Sequence, residues 1–337
     1  MKKCLFVTTE HSVFRKPIEN ALQRVGFIVE TFDYRGSQFL ARDSTVKKMT
    51  AALPLSVRSR LFHHAEHRIN RSLVEAAQTF RPDLIFVIKG KELTVETIEA
   101  LNKIAVTANW YPETIDHWGG IMAAAPHYTY FFSFDQIVID RLRQAGIHSA
   151  HYLPFCADVC ADDRWPQENT APEYNVVFIG TYHPERADRE HLLAKFVDYG
   201  LDIWGSDAWK RTSLRNFYRG TISNEGMIDV YRRSRIVINH YITGLPGSGI
   251  NLRPFEVTGA GALLVNHDGR SDIFRMFRAG EEFIPFSGVS DILQKVEPIL
   301  TDESERRRIA RNGFNRTRRD HTYDGRIATI LAVMQNP

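Results

Sequence analysis

The sequence predicts an α/β protein made of two consecutive doubly wound units. Short β-rich apolar runs alternate with helical patterns along the chain, as in a parallel sheet covered by helices. The 337 residues exceed one ordinary domain. A polar stretch without period, "ADVCADDRWPQENTAPE" (157–173), interrupts the alternation and is the best linker candidate.

Taken in order, "KCLFVTT" (3–9) reads as the first strand, and "PIENALQRVG" (17–26) as a helix opened by Pro17 and closed by Gly26. "FIVETFDY" (27–34) is the second strand. A helix around 65–80 precedes the buried strand "PDLIFVIKG" (82–90), and "ETIEALNK" (96–103) is helical. "IAVTANWY" (104–111), "YTYFFSF" (128–134) and "SAHYLPF" (149–155) are further strands, with the helix "QIVIDRLRQAG" (136–146) between the last two. Beyond the linker come strand "YNVVFIG" (174–180), a helix near 187–199, strand "LDIWG" (201–205), a helix near 224–233 and strand "RIVINHY" (235–241). "GLPGSGINLRPFEVTGAGALLV" (244–265), "EFIPFS" (282–287) and helices near 289–301, 303–318 and 323–335 complete the chain. Sheets of this kind bind ligands outside the carboxyl ends of their strands.

Composition is that of a water-soluble globular chain, 43% hydrophobic and 25% charged. A formal charge of +3 implies no polyanionic partner. Three cysteines argue for a reducing compartment, and the apolar run of "MKKCLFVTTEHSVFRK" is too short for a signal peptide or a membrane span, so a cytoplasmic location is expected.

The stretch 244–265 is the most site-like. Pro254 is tolerated only in a first helical turn, which puts the helix start near Asn251–Arg253. Free N–H groups there favour an anion, and Gly244, Gly247 and Gly249 let it approach the backbone. Arg253 adds a fork suited to phosphate oxygens. Glu256 repels phosphate but can accept two hydrogen bonds from the vicinal diol of a ribose. Together they describe a nucleotide diphosphate site; the same spacing also fits an ion pair between Arg253 and Glu256 over an ordinary helix start. A second glycine turn, "VVFIGTYHPERADR" (176–189), places Gly180, Tyr182, His183 and Arg186 where the first βα loop would carry phosphate partners; the alternative is a strand end followed by a solvated arginine. Trp204 and Trp209 either stack a base or pack. In the first half, "TANWYPETIDHWGG" (107–120) carries Glu113, Asp116 and His117, where acid–base groups for an acceptor are expected, and Lys89 closes the preceding strand at the same edge. Glu113 and Thr114 read equally as cap and turn residues.

Other constellations carry less. His148, His151, Cys156 and Cys160 lack a second cysteine pair for zinc, and His63 and His67 lack the glutamate of a zincin. No Asp-x-Asp occurs, so the usual carboxylate pair for a metal on a nucleotide sugar is absent. The basic stretches 35–71 and 306–319 suit either a solvated face or contact with acidic lipid or an anionic acceptor.

The order "FIGTYHPER", "LDIWGSDAW", "IVINHY", "INLRPFEVTGAGALLVNH", "IPF" and "ERRRIARNGFNRTRRDHTYDGRI" resembles the C-terminal half of bacterial CgeB-like glycosyltransferases, relatives of glycosyltransferase family 4. The resemblance covers about 174–330; the first half shares "PDLIFVIKG", "ANWYPETIDHW" and "YLPFCAD". It implies the GT-B fold, two Rossmann-like domains facing a central cleft: residues 1–165 on the acceptor side, 174–322 binding the nucleotide sugar, and a helix at 323–337 crossing back. It further implies transfer from a nucleotide-diphosphate sugar to a hydroxyl of a glycan, protein, lipid or small molecule, with retention, no cofactor and no metal. In the family pattern two glutamates stand eight apart: Glu256 matches the second, which contacts ribose, and Ser248 stands where the first would hold the sugar. That departure leaves a catalytically inactive nucleotide- or sugar-binding protein as the alternative. A nicotinamide oxidoreductase ranks low, since "FVTTEHSVF" has no glycine fingerprint.

Overall fold

The computed structural model describes residues 1–35, 55–159, 164–168, 171–184, 187–241 and 247–335, with the backbone alone over 55–65 and at 187. The chain divides into two units between Leu153 and Pro154, and again between Arg326 and Ile327.

The first unit has six strands, β1 (Lys3–Thr8), β2 (Ile28–Asp33), β3 (Leu84–Ile88), β4 (Val106–Tyr111), β5 (Tyr130–Ser133) and β6 (Ala150–Tyr152). All pair in parallel, in the order β2-β1-β3-β4-β5-β6. Its helices are α1 (Arg15–Arg24), α2 (Leu55–Phe80), α3 (Val95–Asn102), α4 (Trp118–Ala124) and α5 (Gln136–Gln144). A parallel strand covered on both faces reads as an unbroken apolar run, and "LIFVI" of β3 is buried throughout. Alternation sends Leu5, Val7, Ile85 and Val87 to one core, while Phe6 stacks on Phe86 across the other face. α1 starts two residues before the expected Pro17, which remains within its first turn.

The second unit contains β7 (Tyr174–Gly180), β8 (Leu201–Gly205), β9 (Tyr218–Gly220), β10 (Ser234–Asn239), β11 (Leu263–His267) and β12 (Ile284–Phe286). They form a parallel sheet in the order β12-β11-β10-β7-β8-β9. Its helices are α6 (Ala187–Ala194), α7 (Asn224–Arg232), α8 (Arg253–Ala260), α9 (Ile273–Met276), α10 (Ile292–Thr301) and α11 (Glu303–Asp320). The last helix, α12 (Tyr323–Gln335), begins in this unit and from Ile327 onward belongs to the first, where the Tyr130 hydroxyl donates to the Met334 carbonyl at 3.5 Å. Each sheet reverses direction once, between β1 and β3 and between β7 and β10, and those switch points are where such sheets hold ligands.

The stretch 157–173 is not simply a linker. Trp165 is buried in the second core and donates its indole N–H to the Gly261 carbonyl (2.9 Å); Gln167, also buried, donates to the carbonyls of Ser234 and Arg232. Buried Arg326 closes the unit by donating to the carbonyls of Pro154 (2.7 Å), Phe155 (2.9 Å) and Asp320 (3.0 Å).

Candidate functional site

The start of α8 is assembled from the strand ends beside it. Pro254 occupies its second position and no side chain caps it. The Asn251 amide exchanges hydrogen bonds with Asn239 (3.1 and 3.3 Å), which donates to Asn266 (2.7 Å), tying the helix start to the carboxyl ends of β10 and β11. The Asn251 side chain is thus engaged within the protein. Arg253 donates Nε–H to the Ile179 carbonyl at 2.7 Å, which holds its guanidinium at the end of β7, beside the switch point. Arg253 and Glu256 make no ion pair among the described residues, so the surface-pair alternative fails. Glu256 is half-buried, and among the described residues no group donates a hydrogen bond to its carboxylate. Burial raises its pKa and Arg253 opposes the rise.

Ser248 is buried, and its hydroxyl lies 3.2 Å from Asp272 Oδ2, while the Asp272 N–H donates to the Ser248 carbonyl. Gly249 is buried beside it, and Gly247 takes φ +123°, a conformation that favours glycine.

At the end of β7 the Gly180 carbonyl accepts the Trp209 indole N–H (2.8 Å). Tyr182 packs its ring 5.1 Å from that of Trp209, and its N–H donates to the Ser206 hydroxyl. Trp209 is fully buried and Trp204 nearly so: both pack. Arg186 lies outside the described residues. The arginine that sequence reasoning passed over is Arg189, which donates to the carbonyls of Thr181 (2.6 Å) and His240 (2.9 Å) and so joins the loops after β7 and β10. His240 is buried beside His267 and Phe286, with no partner for Nδ1 among the described residues. Burial first, then His267 and Arg189, push its pKa down to about 4. The "HTY" tail is structural. The His321 ring packs against Phe255 of α8 and against Phe277; Arg326 donates to its Nδ1, so Nε2 carries the proton given to the Met276 carbonyl.

In the first unit Lys89 follows β3 with φ +64°, an uncommon conformation for a side-chain-bearing residue. Its ammonium pairs with Glu113, and His117 Nδ1 lies 3.4 Å from the second oxygen of that carboxylate. Lys89 and His117 are therefore joined through Glu113, which the sequence placed in the same acid–base loop with a cap or turn role as its alternative. Asp116 stands apart: it is exposed and accepts from the Thr114 hydroxyl at 3.0 Å.

Most arginines of the basic helix α11 have partners, though its seven arginines outnumber the carboxylates that meet them. Arg306, Arg308 and Arg311 pair with Glu303, Glu305 and Glu168, Arg316 and Arg319 with Asp320, and Arg307 lies over Trp165. The stretch 36–54 lies outside the described residues. Cys156 is buried, and burial raises its thiol pKa. Among the described residues no helix is long and apolar enough to cross a membrane.

Residues 186–332 match a family model described as glycosyl transferase-like. No curated protein matches the chain. Solved structures agree in fold at low identity. Sucrose-phosphate synthase from Thermosynechococcus elongatus superposes with TM-score 0.65 at 11% identity, over 100% of this chain and 99% of that one. Anabaena HepE in complex with UDP-glucose gives 0.64 at 12%, over 100% of both chains. A putative UDP-N-acetylglucosamine 2-epimerase from Listeria monocytogenes gives 0.64 at 12%, over 99% of this chain and 96% of that one. The fold is GT-B.

Proposed function

We propose that the protein is a glycosyltransferase that takes a sugar from a nucleotide-diphosphate donor bound by its second unit and passes it to a hydroxyl held by its first. The observation that carries this reading is the pair Arg253 and Glu256: a cation pinned to the end of β7 and, three residues on, a half-buried carboxylate with no donor among the described residues. A diphosphate suits the first and a ribose diol the second. Since an epimerase shares the fold equally well, fold alone does not select transfer; the family match over 186–332 favours it.

In the proposed reaction the bond between the sugar C1 and the diphosphate oxygen breaks, and the leaving diphosphate gathers charge beside Arg253 and the N–H groups at the start of α8. The acceptor oxygen bonds to C1 with retention, and its proton passes to the departing diphosphate. Lys89 and His117, acting through Glu113, orient the acceptor hydroxyl, with Asp116 at the rim. Gly180, Tyr182, Arg186, Gly249 and Asn251 shape the donor loops. The chain carries no Asp-x-Asp pair, and Arg253 supplies positive charge at the diphosphate, so we propose transfer without a metal. A binding protein that has lost catalysis is the second reading, favoured by Ser248, which is hydrogen-bonded to Asp272.

The test is a thermal-shift screen against nucleotide sugars, followed by a transfer assay in EDTA. The proposal expects a stabilising donor, EDTA-resistant turnover, and an Arg253→Ala protein that stays folded with turnover lowered more than about tenfold. Binding without transfer or hydrolysis supports the second reading, and wild-type rates in Arg253→Ala remove the site assignment.

A further inference from the structure

We infer that the first unit recognises a neutral, hydroxyl-rich acceptor, a sugar without phosphate or carboxylate, at a charge-balanced site around Lys89, Glu113, Arg35 and Glu92. The role as acceptor rests on the transferase reading; the chemistry of the site does not.

The site lies at the switch point of the first sheet. Thr8 ends β1, Tyr34 and Arg35 follow β2, Lys89 follows β3 and Glu113 follows β4. Its two cations are each matched by an anion: Lys89 with Glu113, and Arg35 with Glu92 at 2.7 Å. These four side chains are 18–29% exposed, so the pairs are reachable yet partly desolvated. Among the described residues, a phosphate or carboxylate would meet two cations already matched by two anions and would have to displace a glutamate from its partner. A hydroxyl donates and accepts at once, so it can enter between an ammonium and a carboxylate without unpairing either.

The surrounding groups favour the same ligand. Among the described residues the Thr8 hydroxyl and Glu92 Oε2 are buried with no hydrogen-bond partner, and the buried Tyr128 hydroxyl lies against the Asn109 side chain. Asn109 gives its amide N–H to the Lys89 carbonyl (3.2 Å), and a Cβ on Gly90 would sit 3.2 Å from the Tyr128 hydroxyl. Asn109 and Tyr128 therefore lie directly beneath the Lys89–Gly90 turn, so that turn rests on neutral polar groups rather than on further cations. Gly90, at φ +65°, admits no side chain, because its Cβ would lie 2.7 Å from Val87. Lys89 adopts nearly the same φ without that freedom, and backbone strain of this kind gathers at ligand sites. Burial raises the pKa values of Tyr34, Tyr111 and Tyr128, and Glu92 adds to the first two, so all three phenols stay protonated donors at neutral pH.

The experiment uses the full chain in saturation-transfer NMR. The probes are the methyl α-glycosides of glucose, galactose and mannose, against glucose 6-phosphate and glucuronate. UDP binding is measured separately by calorimetry. The expected result is saturation of at least one neutral glycoside and of neither anionic sugar, with Kd for that glycoside weakened at least about tenfold in Glu113→Gln. Lys89→Met must weaken it as well, which keeps the test decisive if Glu113→Gln fails to fold by far-UV dichroism. UDP bound with no glycoside bound, tighter binding of an anionic sugar, or unchanged affinity in both folded variants overturns this inference and leaves the donor reading standing. Glycoside bound with no UDP bound supports the sugar site and sinks the donor reading alone.

Discussion

The Glu256 carboxyl has a folded pKa above its ordinary value, because burial outweighs the pull of Arg253. Above both the unfolded and folded pKa values, the ionised group is therefore less stable in the folded chain than in water. Glu256→Gln should consequently raise Tm in the absence of ligand while weakening nucleotide binding, and a lower Tm would contradict the assignment of a strained ligand carboxylate. A ribose diol donates to the ionised form, so nucleotide affinity should fall as pH drops into the raised titration range; calorimetry at pH 7 and 5 measures that. Arg253 and Glu256 were legible in the sequence because Pro254 fixes where the helix starts and hence which side chains lie in its first turn. The pairing of Glu113 with Lys89 was not, since the two are 24 residues apart and only the pairing of β3 with β4 brings them together. Arg189 left no signal either: its acceptors are backbone carbonyls 8 and 51 residues distant, and any residue supplies a carbonyl.

Among the elements, β7 and β8 meet most closely at their carboxyl ends, where a Cβ on Gly205 would lie 2.0 Å from the Gly180 carbonyl oxygen, and φ there is +140°. Gly205→Ala should therefore cost more than about 2 kcal/mol in denaturant unfolding, and an unchanged midpoint would show that the strands can part freely. Long, strongly patterned elements such as β3, β7 and α11 were readable from periodicity. β9, α4 and α9 were not, being three to seven residues long and offering too few positions to display a period. The helix near 187–199 is shorter than its apolar pattern suggests: α6 stops at Ala194, and a single 3-10 turn leads to Gly200 at φ +73°. α11 looked like a cationic surface because pattern counts charges without their partners, and most of those partners lie on the same helix or on Glu168.

At the scale of the whole molecule, the two-unit architecture followed from the doubled βα alternation, whereas the boundary did not, because Trp165 and Gln167 sit in a polar stretch yet enter the second core. The units should respond differently to acid. His240 and His321, both in the second unit, have folded pKa values pushed down to about 4 from an ordinary 6.5. Between those values the unfolded chain binds more protons than the folded one, so stability is lost as pH falls from 6.5 toward 4. Hydrogen exchange over that window should show the second unit opening first; earlier opening of the first would contradict it. The central claim is that the start of α8 cradles a diphosphate while Glu256 holds the attached ribose, and calorimetry of two ligands tests it most directly. The account predicts that Arg253→Ala weakens both UDP and pyrophosphate by more than about tenfold, whereas Glu256→Gln weakens UDP and leaves pyrophosphate unchanged. UDP binding that is indifferent to both substitutions would contradict it.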